Sequence, residues 1–137
     1  MKKVLMVALI VGGIQILASG FVIFFQEEPK PWPVPDKNAK VANPVAMDDE
    51  SLKTGKAVWA KHCQSCHGKT GKGDGSKAAQ LKTAAGDFTK AEVQKQTDGA
   101  LYYKIVEGRD DMPGFKKKIP DTEDIWAVVH YMRGFKK

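Results

Sequence analysis

The chain has 137 residues, room for one modest domain plus an accessory segment. It carries 22 Lys and Arg against 16 Asp and Glu, a formal net charge of +6, and only 2 cysteines. Two cysteines are too few for a four-thiolate zinc site, and the excess positive charge comes with no recognisable nucleic-acid motif.

Residues 1–25 come first. Val4 to Phe25 is an apolar run of 22 residues in which Gln15 and Ser19 are the polar interruptions. At about 1.5 Å per helical residue it spans roughly 33 Å, enough for a bilayer core of about 30 Å. Lys2 and Lys3 precede it and Glu27 and Glu28 follow it. This asymmetry places the amino terminus in the cytoplasm and the remainder outside, in a single-pass protein of the bacterial cytoplasmic membrane. The competing reading is a cleaved signal peptide with Ala18-Ser19-Gly20 as its site. Cleavage there would leave Phe21-Val22-Ile23-Phe24-Phe25 as an exposed apolar tail, so an uncleaved anchor is favoured. No cysteine follows the run closely, which excludes a lipoprotein anchor. Both readings export the remainder of the chain to the periplasmic side.

Residues 26–49 hold five of the seven prolines: Pro29, Pro31, Pro33, Pro35 and Pro44. The Pro-x-Pro alternation predicts a stiff, extended linker, reaching about 75 Å if fully extended and about 27 Å as a flexible coil. It would leave the domain tethered but movable.

Residues 50–137 form the remaining domain. From Asp48 onward there are 17 Lys or Arg and 13 Asp or Glu, a basic balance that would steer the domain toward acidic partners. The segment reads as all-α. Leu52, Val58 and Trp59 predict an amphipathic first helix. Thr89-Lys90-Ala91-Glu92 fits a capping box for a short helix, and Asp98 is placed to cap the next, with Leu101, Tyr102 and Ile105 on one face. Pro120-Asp121-Thr122-Glu123 opens a last helix whose Ile125, Val128, Val129 and Met132 recur at i, i+3, i+4 and i+7, and Gly134 ends it. A domain of this size makes a thin core unaided.

Between the first two helices lies Cys63-Gln64-Ser65-Cys66-His67, the attachment sequence for c-type haem. One helical turn presents both thiols to the same porphyrin edge, where they add to the vinyl groups. The next residue, His67, supplies the proximal imidazole. The rival readings are a redox-active dithiol, half of a zinc site, or a simple disulfide. A covalently bound porphyrin would also supply the apolar centre that short helices lack.

A haem iron with one histidine needs a sixth ligand or keeps an open site. Of the five methionines, Met1 and Met6 belong to the apolar amino-terminal run, Met47 precedes the domain and Met132 lies in the last helix's stripe. Met112 sits in Gly108-Arg109-Asp110-Asp111-Met112-Pro113-Gly114, a polar loop in which packing explains a methionine poorly. It is therefore assigned as the distal ligand. His62 and His130 are weaker rivals.

These elements, in this order, resemble the class I cytochrome c family in its small bacterial single-haem form, over about Leu52 to Phe135. The matching positions are Gly55 and Trp59, Cys63 to Gly68, Gly71-Lys72-Gly73-Asp74-Gly75, Asp87-Phe88-Thr89, Gly108-Arg109, Met112-Pro113, and Trp126 with Tyr131. The resemblance implies crossed first and last helices with Gly55 against Tyr131. It also implies one haem c held by Cys63 and Cys66 with His67 and Met112 on the iron, and Leu81, Phe88, Ile105 and Trp126 as pocket lining. Ser76 departs from the pattern, since relatives often carry proline there. In this family a backbone carbonyl near that loop accepts the proximal histidine's other N–H, which tunes the ligand.

The implied activity is outer-sphere electron transfer by a membrane-tethered carrier in a respiratory chain, without enzymatic turnover of its own. Lys69, Lys72 and Lys116-Lys117-Lys118 would dock acidic redox partners through weak, salt-sensitive contacts. Two alternatives stay open. One is a monohaem subunit fixed in a quinol-oxidising complex or terminal oxidase; the other is an open-site haem enzyme or gas sensor.

Overall fold

The computed structural model describes residues 31–136, all helical or irregular apart from a single isolated β-bridge. Its helices are α1 (Asp36–Ala39), α2 (Asp49–His62), α3 (Gln64–His67), α4 (Ala91–Gln94), α5 (Asp98–Glu107) and α6 (Thr122–Arg133), with a 3₁₀ turn at Ala78–Gln80. Among the described residues no helix is long and apolar enough to cross a membrane. The expected anchor at 1–25 lies outside them.

Helix α2 starts where its sequence says it must. Asp48 accepts from the Ser51 amide at 2.8 Å, and Ser51 Oγ accepts from the Asp48 amide at 3.1 Å, so each satisfies a donor the other leaves free. Ser51, Gly55 and Trp59 then bury one stripe of α2. That stripe lies against α6, whose Ile125, Val128, Val129 and Met132 are almost wholly buried. The crossing is close because Gly55 carries no side chain. A Cβ there would collide with the Ala127 carbonyl and lie 3.0 Å from Tyr131 Cβ, so the Gly55–Tyr131 juxtaposition expected from the sequence is present.

Helix α5 covers the other side of α6, with Tyr102 stacked on Trp126 at 3.9 Å between centroids and 15° between planes. Arg133 ties the end of α6 to the start of α5. It bonds the Asp98 carboxylate and donates to the Gln94 and Gln96 carbonyls at 2.9 and 2.6 Å.

Two local expectations change and one holds. The cap of α5 is Thr97, whose Oγ1 accepts from the Ala100 amide at 3.2 Å, because Arg133 engages Asp98. The cap of α4 is Lys90 with no side-chain bond, because the Thr89 amide and hydroxyl both donate to Asp87 Oδ1, at 2.9 and 2.7 Å. Asp121 does cap α6, accepting from the Glu123 amide at 2.9 Å.

The largest difference concerns the expected linker. Its described part is neither extended nor free; it runs as a strap across α5 and α6. Thr97 Oγ1 donates to the Ala39 carbonyl at 2.6 Å, and Asn43 Nδ2 donates to the Trp126 carbonyl at 3.1 Å. His130, buried on α6, bonds the Val45 carbonyl at 2.8 Å through Nε2. The receiving groove is made by Gly99, where a Cβ would clash with the carbonyls of Asn38 and Val41. The prolines set the strap's backbone, and polar groups of α5 and α6 hold it down.

Candidate haem site

The site begins at the end of α2. Trp59, on that helix's buried stripe, donates its indole N–H to the Gly68 carbonyl at 3.1 Å, fixing the chain just beyond the Cys-x-x-Cys-His run. Cys63 closes α2 and opens α3, and its carbonyl accepts from the Cys66 and His67 amides at 3.2 and 3.0 Å. A four-residue helix leaves its carbonyls without internal partners. The following loop supplies them: Gly73 N–H donates to His67 O at 2.9 Å, Gly75 N–H to Cys66 O at 3.1 Å, and Lys77 N–H to Ser65 O at 2.8 Å. The Gly-Lys-Gly-Asp-Gly loop thus acts as a backbone clamp on the helix that carries Cys66 and His67.

Both cysteines are free thiols. Cys63 is buried, and burial followed by the neighbouring Cys66 pushes its pKa up to about 12. A thiol so hard to ionise is a poor attacking nucleophile, which weighs against a thioredoxin-type dithiol. The His67 ring lies against Phe88 at 4.8 Å and Trp59 at 5.8 Å. Burial holds its pKa below the ordinary histidine value, partly offset by the Ala85 carbonyl facing it, so the imidazole stays neutral. A neutral imidazole is the form that binds metal. His67 Nδ1 is the one buried side-chain nitrogen or oxygen among the described residues that makes no hydrogen bond. A buried nitrogen without a partner is rare in a folded protein.

Met112 ends a tight turn. Arg109 and Met112 exchange backbone hydrogen bonds at 2.8 and 2.9 Å, and Asp110 takes φ +52° between them, a conformation Asp tolerates better than most residues. Asp111 fastens this turn to the loop after the 3₁₀ turn, accepting from the Lys82 and Thr83 amides at 2.7 and 3.0 Å. Met112 is half-buried and packs against the apolar cluster that contains Cys63, Leu101, Ile105, Phe115, Ile119 and Trp126; Phe88 borders the same cluster. Of the expected lining residues, Ile105 and Trp126 are buried and Leu81 and Phe88 half-buried. Met132 is core and Met47 is exposed.

The residues fit a haem c. Two free thiols sit one helical turn apart, a neutral imidazole follows directly, and a thioether stands on a fixed turn beside the same apolar cluster. Sequence reasoning did not find Asp111 or the Ala85 carbonyl. No motif marks a carboxylate that bonds amides 28 and 29 residues away, and any residue type provides a carbonyl.

Comparison with known proteins agrees with this class. The family described as "Cytochrome C oxidase, cbb3-type, subunit III" matches residues 50–132, and the chain belongs to that family. It is a c-type cytochrome with covalently bound haem c, of a size consistent with one haem. Among solved structures it is similar to the KustC0563 c-type cytochrome, with 34% identity and a TM-score of 0.53, over 61% of this chain and 98% of that one. It shares a fold with a chain of the Kuenenia stuttgartiensis reducing HAO-like protein complex Kustc0457/Kustc0458. There the identity is 22% and the TM-score 0.61, over 79% of this chain and 53% of that one. Cytochrome CL from Methylophaga aminisulfidivorans is similar at 22% identity and a TM-score of 0.50, over 64% of this chain and 56% of that one. The chain therefore spans about half the length of the last two. No curated protein sequence matches it.

Proposed function

We propose that this chain is a single-haem electron carrier of a respiratory chain, tethered to the bacterial cytoplasmic membrane by residues 4–25 with its haem domain on the periplasmic side. Cys63 and Cys66 would hold the haem through thioethers, and His67 and Met112 would supply nitrogen and sulfur ligands to its iron. Bound haem supplies a one-electron Fe(III)/Fe(II) couple, and methionine ligation raises its potential relative to bis-histidine ligation. The chain's own contribution is rigidity. The clamp on α3 fixes the His67 backbone, Phe88 and Trp59 confine its ring, and the Arg109–Met112 turn fixes the thioether. Groups that cannot move between oxidation states keep the cost of reorganisation low. The observation that carries this reading is the neutral His67, its pKa held down by burial, directly after two free thiols. Lys69, Lys72 and Lys116 to Lys118 are exposed on the flanking loops, placed to meet acidic redox partners.

Carbon monoxide added to the ferrous, haem-loaded protein tests the carrier reading. A closed site leaves the spectrum unchanged. Rapid binding would support an open-site enzyme or sensor instead.

The second reading, a subunit fixed in a larger respiratory complex, draws support from the strap. Residues 31–45 are held on the domain, which leaves 26–30 as the span between the apolar run and the strap. A domain fastened so soon after the apolar run in sequence suits work beside fixed neighbours. Recovery of stoichiometric companion subunits after mild detergent extraction would favour it; a protein that purifies alone would favour the free carrier.

A further inference from the structure

The strap's first residues reach the turn that ends in Met112. Arg109 Nη1 donates to the Pro31 carbonyl at 3.0 Å, and its guanidinium lies 4.6 Å from the centre of the Trp32 ring. Lys104, in the last turn of α5, lies 5.5 Å from the same ring. Arg109 is only 27% exposed, and its backbone makes both hydrogen bonds of the pair with Met112. Two cations beside one indole repel each other. Burial and then the neighbouring Arg109 do hold Lys104 below its ordinary pKa, and Lys104 Nζ donates to Gln96 Oε1 at 2.5 Å. The negative face of the indole attracts both cations, and Trp is the best such partner.

We infer that Trp32 is a positioning residue for the distal ligand: by gripping Arg109 from the strap, it holds the Arg109–Met112 turn in the conformation that presents the Met112 thioether. This rests on the reading of Met112 as an iron ligand. Asp111 fastens the turn to the Lys82–Thr83 loop, and Trp32 with the Pro31 carbonyl fastens it to the strap. The turn is therefore held from two directions, and the segment that would lead in from the membrane is one of them. A pull on the strap would act on the methionine side of the site and leave α3 untouched.

The test is displacement of the methionine by imidazole in the ferric, haem-loaded, full-length protein in detergent. An exogenous ligand binds only when the turn opens, so its apparent affinity scales with the open fraction. Trp32→Ala is expected to tighten imidazole binding about fivefold, the size of one lost cation–π contact. Trp32→Phe keeps an aromatic face and should restore most of the wild-type value. Arg109→Lys, which keeps the charge but loses the planar stack, should fall between. Thr97→Val is the control. It removes both the strap's bond to the Ala39 carbonyl and the N-cap of α5, at the end of that helix away from the turn, and should lower the melting temperature while leaving imidazole affinity unchanged. The inference is overturned if Trp32→Ala binds imidazole as wild type does, or if Thr97→Val shifts the affinity as much as Trp32→Ala. A Met112→Ala protein with the wild-type ferric spectrum would instead overturn the assignment of Met112, and the inference with it.

Discussion

The helical frame and the loops that carry the site are held together by different means. Helices α2, α5 and α6 are fastened by side chains: Gly55 lets α2 sit on the Ala127 backbone, and Val128 and Val129 have no exposed surface. The stretches 68–90 and 108–114 contribute little to that core. They are fastened by backbone amides to carbonyls and by single carboxylates, as in the Gly73, Gly75 and Lys77 bonds onto α3 and the Asp111 bonds onto Lys82 and Thr83. Apolar packing is roughly proportional to area and tolerant of direction, whereas hydrogen bonds specify distance and angle. The frame therefore supplies stability, and the loops supply the fixed positions of His67 and Met112 that an electron carrier requires.

Trp59 belongs to both regions, so its loss should break the distinction. Trp59→Ala removes a buried indole from the frame, at about 3–5 kcal/mol, and also frees the Gly68 carbonyl that anchors the loops. Denaturant unfolding is expected to shift by that amount, with haem incorporation impaired as well. Gly55→Ala should separate the two regions. Forcing a methyl group against the Ala127 carbonyl is expected to cost about 1–3 kcal/mol by overpacking, with the haem spectrum unchanged. A spectrum altered in proportion to lost stability would show that frame and loops are one unit.

The frame was largely legible in the sequence, and the strap was not. The i, i+3, i+4, i+7 stripe of α6, the Asp121 cap and the Gly55–Tyr131 contact follow from local pattern or from the family resemblance, and the structure has them. The cap of α5 was misplaced by one residue because Thr97 and Asp98 are both good caps. The choice is made by Arg133, 35 residues away. The capping box at Thr89 failed for a nearer reason, a competing bond to Asp87. Residues 31–45 read as a free linker because proline spacing reports backbone stiffness and says nothing about a receiving surface. That surface consists of Gly99, Thr97, His130 and the Trp126 carbonyl, all at least 58 residues further along. At the site, the motif singles out Cys63, Cys66 and His67, and elimination singles out Met112. The fastenings around them, Asp111 and the loop amides, carry no local signature.

Two smaller effects sharpen the comparison. Asp111→Ala strands the Lys82 and Thr83 amides near the surface, at about 1 kcal/mol. Its effect should appear at the loops: backbone hydrogen exchange should accelerate at residues 82, 83 and 112 and stay unchanged in α6. The smallest concerns pH. The Ser51 amide, bonded to Asp48, holds that carboxylate below its ordinary value of 3.8, against a lesser opposing effect of burial. A depressed carboxylate stabilises the fold above its unfolded pKa and loses that contribution as pH falls through the folded one. The first turn of α2 should therefore fray below about pH 4, and Asp48→Asn, which keeps a capping oxygen, should flatten that dependence. Amide exchange at Ser51 across this range would read it.

The central claim is that His67 and Met112 close the site on a rigid scaffold. It is tested most directly by the far-red ferric absorption band that marks an iron–methionine sulfur bond, recorded for the wild-type protein and for Met112→Ala. The account predicts the band in the wild type with a low-spin spectrum, and its loss with a high-spin ferric form in Met112→Ala. A wild-type protein without the band, or a band that survives the substitution, would contradict it.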